Sequence, residues 1–275
     1  MLAADSFRVR SNPRTGDAEV RGLDLHLRRF TRAVLDAHGL AGEDPGAQRI
    51  THRVDAFLAE ALSRIAAYGE GFPRLELRDP AEPGGDPEPG LALRPLPELR
   101  DTIELRSAPG VRLEHPRRKG PNIARLAELN RELGAEALLL DGDGCVLEGA
   151  TTSLIWWPGG PGGRGASGAV VRSSARVPSV TERLVIDAAG RFPGAEHRTA
   201  RPQPHTQPQP QPRSITVEQL LPRTGRAPQE VWAMNALHGI RVVTSIDGVA
   251  MPEHDEQRLG WFREALDRTW QPIEK

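Results

Sequence analysis

Asp141–Trp157, DGDGCVLEGATTSLIWW, decides the fold: an acidic, glycine-containing turn separates two short apolar runs, and Glu148 ends the second. Asp141-Gly-Asp-Gly has the turn chemistry a tight hairpin needs, and Leu138–Leu140 and Cys145–Leu147 read as its strands. After Glu148 the chain runs through two small residues, two threonines and a serine before Leu154–Trp157 resumes the apolar pattern. Backbone carrying so little side chain admits the close approach of a ligand. Glutamate is rarely buried, so taken alone Glu148 reads as a solvated charge at a strand end. A second feature, upstream at Lys119, gives it another reading.

Lysine and arginine together number 36, yet lysine stands only at positions 119 and 275. Arginine can replace lysine as a surface charge but not as a nucleophilic amine, because guanidinium keeps its proton in proteins. Lys275 is the final residue. Lys119 is internal, in His115-Pro-Arg-Arg-Lys-Gly-Pro-Asn122, where Arg117 and Arg118 would depress an amine pKa if they lie close to it. A basic loop or nucleic-acid patch is the competing interpretation, and a three-residue run in a chain of net charge −1 gives it thin support.

Lys119-Gly-Pro-Asn, a helix, and then EALLLDGDGCVLEGATTSLIWW resemble the class IV, fold-type IV pyridoxal-phosphate enzymes. That family includes the branched-chain and D-amino-acid aminotransferases and aminodeoxychorismate lyase. The resemblance implies that Lys119 carries pyridoxal 5'-phosphate as a Schiff base and that Glu148 pairs with the pyridine nitrogen. It implies a phosphate site as well. His26-Leu-Arg-Arg29 matches the family's "H-x-x-R-[LF]", whose arginine binds phosphate, and spacing of three puts His26 and Arg29 on one helix face.

Val180-Thr181 stands where the family has "G-[IV]-T-R" at a phosphate-holding helix start, with Ser179 for the glycine and Glu182 for the arginine. Ser179-x-x-Glu182 is itself a capping box, a feature that is usually structural. Glu230–Ile240 resembles "E-V-F-x-x-[NG]-[ST]-x-x-G-[IV]", in which a hydroxyl residue contacts phosphate, and here Ala236 stands at that place. Ser153 replaces the asparagine usual after "E-G", and Tyr68 is the one tyrosine.

The implied fold is α+β and D-amino-acid aminotransferase-like. A small N-terminal domain of sheet and helices, residues 1–112, precedes a larger C-terminal cofactor-binding domain, residues 113–275. Asp24–His38 is predicted as an amphipathic helix with Leu27, Phe30, Val34 and Leu35 inward, and a second helix is expected over Ile50–Tyr68. Phe72–Arg78, Leu91–Leu96 and Thr102–Arg106 read as strands of the small domain, interrupted by a Pro/Gly loop at Pro80–Gly90. Pro121–Leu133 and Val180–Ala189 are expected as helices, Ala169–Arg172 and Arg241–Ile246 as strands, and Gln257–Thr269 as a terminal helix. Residues 201–214 form a Pro/Gln-rich insertion too polar to pack, read as an extended surface spacer.

The composition, 38% hydrophobic and 27% charged, is that of an ordinary soluble chain. One cysteine excludes an intramolecular disulfide framework, and no apolar run reaches membrane-span length. A cytoplasmic enzyme is expected, with no metal, nucleic acid or membrane, acting on a small-molecule amino donor and a keto-acid acceptor. A homodimer is implied by the family. Transamination is the first expectation and aminodeoxychorismate lyase activity, giving 4-aminobenzoate and pyruvate, the second. A cofactor-binding paralogue without turnover is the reading from outside enzymology, motivated by Ala236, Glu182 and the absence of the tyrosine that some family members place after the asparagine of the lysine helix, where Ile123 follows Asn122. The retained Lys119 opposes it.

Overall fold

The computed structural model describes residues 1–40, 44–80, 82, 84–158, 168–191, 210–222 and 229–274. In chain order the elements are β1 (Ala3–Ser6), β2 (Val9–Ser11), β3 (Ala18–Arg21), α1 (Leu23–Ala37), α2 (Pro45–Tyr68), β4 (Arg74–Arg78), β5 (Glu88–Ala92) and β6 (Thr102–Ala108). Then come α3 (Ile123–Leu133), β7 (Glu136–Leu140), β8 (Val146–Gly149), β9 (Ser153–Pro158), β10 (Ala169–Val171), α4 (Val180–Ala189), β11 (Gln211–Arg213) and α5 (Val217–Leu220). The chain finishes with β12 (Gln229–Asn235), β13 (Gly239–Ile246), β14 (Val249–Ala250), α6 (Glu256–Asp267) and β15 (Trp270–Pro272). Among the described residues no helix is long and apolar enough to cross a membrane.

The chain divides into two compact units, one of Met1–Leu99, Leu113–Ile123 and Thr269–Lys275, the other of Arg100–Arg112 and Ala124–Arg268. In the first unit, β1-β4-β5 and β15-β3-β2 form two three-stranded antiparallel sheets. Helix α1 buries Leu23, His26, Phe30, Ala33 and Val34, a stripe of helical period. The expected face had Leu27 and Leu35 inward; the observed one is rotated, because His26 turns in to meet a buried acid on β1. Helix α2 starts earlier than Ile50. The Asp44 carboxylate caps the Gly46 amide at 2.6 Å, and Pro45 supplies a φ already suited to a first helical turn.

The second unit is built on one sheet with strand order β11-β10-β9-β12-β13-β6-β7-β8, and β14 pairs with β13. Strand β6 lies inside this sheet, parallel to both β13 and β7, so Thr102–Arg106 is not a strand of the small N-terminal sheet as expected. Its alternating buried and exposed residues gave no signal of which sheet it would join. Strand β9 explains the continuous apolar run after the threonines. Leu154 and Trp156 pack into one hydrophobic cluster, and Ile155 and Trp157 into another on the opposite face, so both faces of the strand are covered. Trp157, Trp232 and Phe262 form the aromatic centre of that second cluster, with ring centroids 5.2–5.5 Å apart.

Of the Pro/Gln stretch, residues 201–209 lie outside the described residues. Gln211–Arg213 does not hang as a spacer: it pairs in parallel with β10 as an exposed edge strand. Proline is tolerated there because an edge strand has one side without ladder partners. Most of the loop at Pro158–Gly168, and Lys275, also lie outside the described residues.

Candidate active site

The residues singled out in the sequence fall in both units: Arg29 and Lys119 in the first, Glu148, Val180, Thr181 and Ala236 in the second. In the first unit the centre is an aspartate that sequence reasoning missed. Asp5, fully buried in β1, receives the Arg29 Nε–H at 2.7 Å on one oxygen. Its other oxygen meets Arg29 Nη2 at 2.9 Å and His26 Nδ1 at 2.8 Å. Burial alone would raise the Asp5 carboxyl, but Arg29, then His26, hold it well below the usual carboxylate range. His26 is pushed down, chiefly by its burial and further by the Arg29 and Lys119 charges, against the opposing pull of Asp5. The imidazole is therefore neutral near pH 7. The signal for Asp5 was present as one acid inside the apolar run Ala3-Ala-Asp-Ser-Phe7.

Lys119 belongs to the same corner. Its carbonyl accepts the Ala4 N–H at 2.7 Å, and Gly120 packs so closely on β1 that a Cβ there would come within 2.6 Å of the Ala3 Cα. Only glycine suits this position, since its φ of +140° is also one that L side chains rarely adopt. Arg117, expected near the amine, is exposed, and Arg118 is half-buried.

In the second unit the expected hairpin forms. The Asp141 carboxylate accepts the amides of Asp143 and Cys145 at 3.0 and 2.8 Å and so shapes the turn between β7 and β8. Glu148 faces Leu139 across the pair and is buried to 9% exposure, which removes the reading of a solvated strand-end charge. Its carboxylate lies 3.4 Å from the Val177 amide.

The turn that follows Glu148 is organised by Glu136, a second acid the sequence did not flag. The Glu136 carboxylate accepts from Asn130 Nδ2 at 2.9 Å, the Thr151 amide at 2.6 Å, and the Thr151 and Thr152 hydroxyls at 2.9 and 3.1 Å. Gly149 leaves room for this knot: a Cβ there would overlap the Thr152 hydroxyl.

Helix α4 starts where expected, but only half of the capping box forms. The Ser179 hydroxyl accepts the Glu182 amide at 3.2 Å, whereas the Glu182 carboxylate turns away to the Arg176 guanidinium, in two contacts of 2.6 and 2.9 Å. A charge that would have opposed an anion at this helix start is thereby neutralised. Val180 and Thr181 are both buried, and their amides are the first two of the helix, which no helical carbonyl can serve. Ala236 opens the turn between β12 and β13. There the Asn235 side chain accepts the Leu237 and His238 amides, and Ala236 brings no hydroxyl to the turn.

Taken unit by unit, the chemistry suits parts of a phosphorylated aldehyde: in the first, a guanidinium suits a phosphate and a lysine amine an aldehyde; in the second, buried residues at a helix start suit an anion and a buried carboxylate a protonated ring nitrogen.

The chain resembles a branched-chain amino acid aminotransferase from Thermobaculum terrenum, in its PLP form, over 99% of its own length and 89% of that chain, at 16% identity and a TM-score of 0.66. It resembles a hypothetical aminotransferase from Mycobacterium tuberculosis, in its PLP-bound form, over 97% and 88%, at 16% identity and 0.63. A putative 4-amino-4-deoxychorismate lyase from Legionella pneumophila matches over 97% and 90%, at 16% identity and 0.65. Identities this low establish the fold, which is that of these two-domain α+β enzymes. No curated protein sequence matches the chain significantly. The family description "Amino-transferase class IV" matches residues 3–246, and the chain belongs to that family.

Proposed function

We propose that the protein is a pyridoxal-phosphate-dependent aminotransferase, moving an amino group from a small-molecule amino acid or related amine to a keto-acid acceptor. The observation that carries this reading is the class IV match over residues 3–246. Pyridoxal 5'-phosphate, when bound, supplies a sink for the electron pair left at the substrate Cα. Lys119 would hold the cofactor through its amine and, once displaced by substrate, the freed amine would accept the substrate Cα proton and hand it on. Glu148 keeps a negative charge where the ring nitrogen must stay protonated. Arg29 and the Val180 and Thr181 amides hold the phosphate, with the Ala236 N–H standing in for the hydroxyl usual there.

The strand motif Glu136-Ala-Leu-Leu-Leu-Asp141 and the Legionella neighbour favour a second reading, elimination of pyruvate from aminodeoxychorismate. Both readings use the same lysine and differ in the acceptor. A homodimer in the cytoplasm completes the proposal; the single cysteine suits a reducing compartment. Product analysis tests the assignment. Holoenzyme given an amino donor and a keto acid should form the new amino acid in a reaction that needs both. Pyruvate and 4-aminobenzoate from aminodeoxychorismate alone, with no transamination, would establish the lyase instead.

A further inference from the structure

Strand β1 touches both cofactor-directed residues of the first unit. On one side Asp5 grips Arg29 through Nε and Nη2, at 2.7 and 2.9 Å. On the other, the Ala4 N–H holds the Lys119 carbonyl at 2.7 Å, and Gly120 lies against the Ala3 backbone. These contacts involve three successive residues of a strand whose four members are all buried. Ladder bonds to β4 run its whole length, from Ala3↔Leu77 to Ser6↔Arg74, so the strand cannot slide without breaking them.

The bidentate edge of Arg29 is thus occupied by Asp5. A guanidinium has five N–H groups in a fixed plane, so one that donates Nε–H and one Nη2–H to a carboxylate presents its remaining donors in a set direction. Arg29 is on the second turn of α1, and its long side chain would otherwise sample many rotamers at an entropic cost to any ligand that froze it. His26 Nδ1 meets the same Asp5 oxygen that accepts from Arg29 Nη2, so the ring flanks the guanidinium.

The geometry points to β1 as the bar that sets the spacing between the amine and phosphate contacts, with Asp5 the positioning residue that aims Arg29 at the phosphate. This rests on the proposed pyridoxal-phosphate reading and adds to it a residue that touches neither cofactor nor substrate. The opposing possibility is that Asp5 only neutralises a half-buried arginine, in which case its loss would weaken the fold and all ligands alike.

The two are separated by comparing pyridoxal 5'-phosphate with pyridoxal, which has the same aldehyde and ring but no phosphate. Absorbance titration of apo-protein measures both affinities, and thermal melting reports folding. Asp5→Asn should weaken pyridoxal 5'-phosphate binding roughly tenfold, the size of one misaligned charge-assisted contact, and leave pyridoxal binding unchanged. Where the asparagine variant does not fold, Asp5→Glu, which keeps the charge but shifts the guanidinium by a methylene, should show the same selective loss. Equal weakening of both ligands, or no weakening of either, overturns the inference. Wild-type protein that binds neither ligand overturns the cofactor reading beneath it, a result recognisable before any variant is made.

Discussion

Arg29 makes a case for treating binding and stability together. From the sequence it is a phosphate ligand, and its loss would be felt in affinity alone. The pair with Asp5 adds a second consequence, since Arg29→Ala leaves a fully buried carboxylate with His26 as its remaining side-chain partner among the described residues. Breaking such a pair should cost about 3–5 kcal/mol of folding stability, measurable by urea denaturation, besides weakening cofactor retention. Glu148 differs, because its proposed work lies in the electron-sink step. Glu148→Gln keeps size and removes charge, so turnover should fall by orders of magnitude while cofactor binding holds. Near-full turnover in that variant would return Glu148 to a structural role. Both residues were legible in the sequence because family motifs name them. Asp5 gave only the hint of one acid inside an apolar run, and Glu136 none: the donors that explain a buried acid arrive from elements distant in the chain.

At the scale of elements, the hairpin around Asp141 and the helix at Val180 were readable from turn and cap chemistry, which is local. Strand β6 was placed in the wrong sheet, and β3 and β15 were not foreseen, because strand pairing between distant segments leaves no periodic trace. The hold of β1 on Lys119 belongs to this scale too. Gly120→Ala would push a methyl into the Ala3 backbone at a φ of +140°, with no flexible side chain to yield. A loss of roughly 1–3 kcal/mol is expected, together with a slower reaction of Lys119 with pyridoxal 5'-phosphate. Wild-type stability would show that β1 gives way. The Glu136 knot makes a parallel prediction. Glu136→Ala strands the Thr151 amide and its neighbours, and should lower the melting temperature by an amount corresponding to about 1–3 kcal/mol.

For the whole molecule, the titrating groups set a direction for stability against pH. The Asp5 pKa is lowered on folding, so its contribution is present near neutrality and is lost as pH falls below the unfolded value of 3.8. His26 is also lowered on folding. The unfolded chain therefore takes up its proton first, and stability begins to fall once pH drops through 6.5. Glu230, raised by its burial against the pull of Arg258, has the opposite sign and favours the folded form as pH approaches 4.5 from above. Urea midpoints should therefore decline from about pH 7 to about pH 5, and His26→Gln should flatten that segment. A midpoint independent of pH across this range would mean that His26 is as easily protonated folded as unfolded.

Whether the one internal lysine carries the cofactor is read by borohydride reduction of protein saturated with pyridoxal 5'-phosphate. Reduction fixes the cofactor wherever it is bonded, and peptide mapping by mass spectrometry then reads the position. One pyridoxyl group per chain, on Lys119, is the expected result. Label confined to Lys275, or no label on saturated protein, would contradict it.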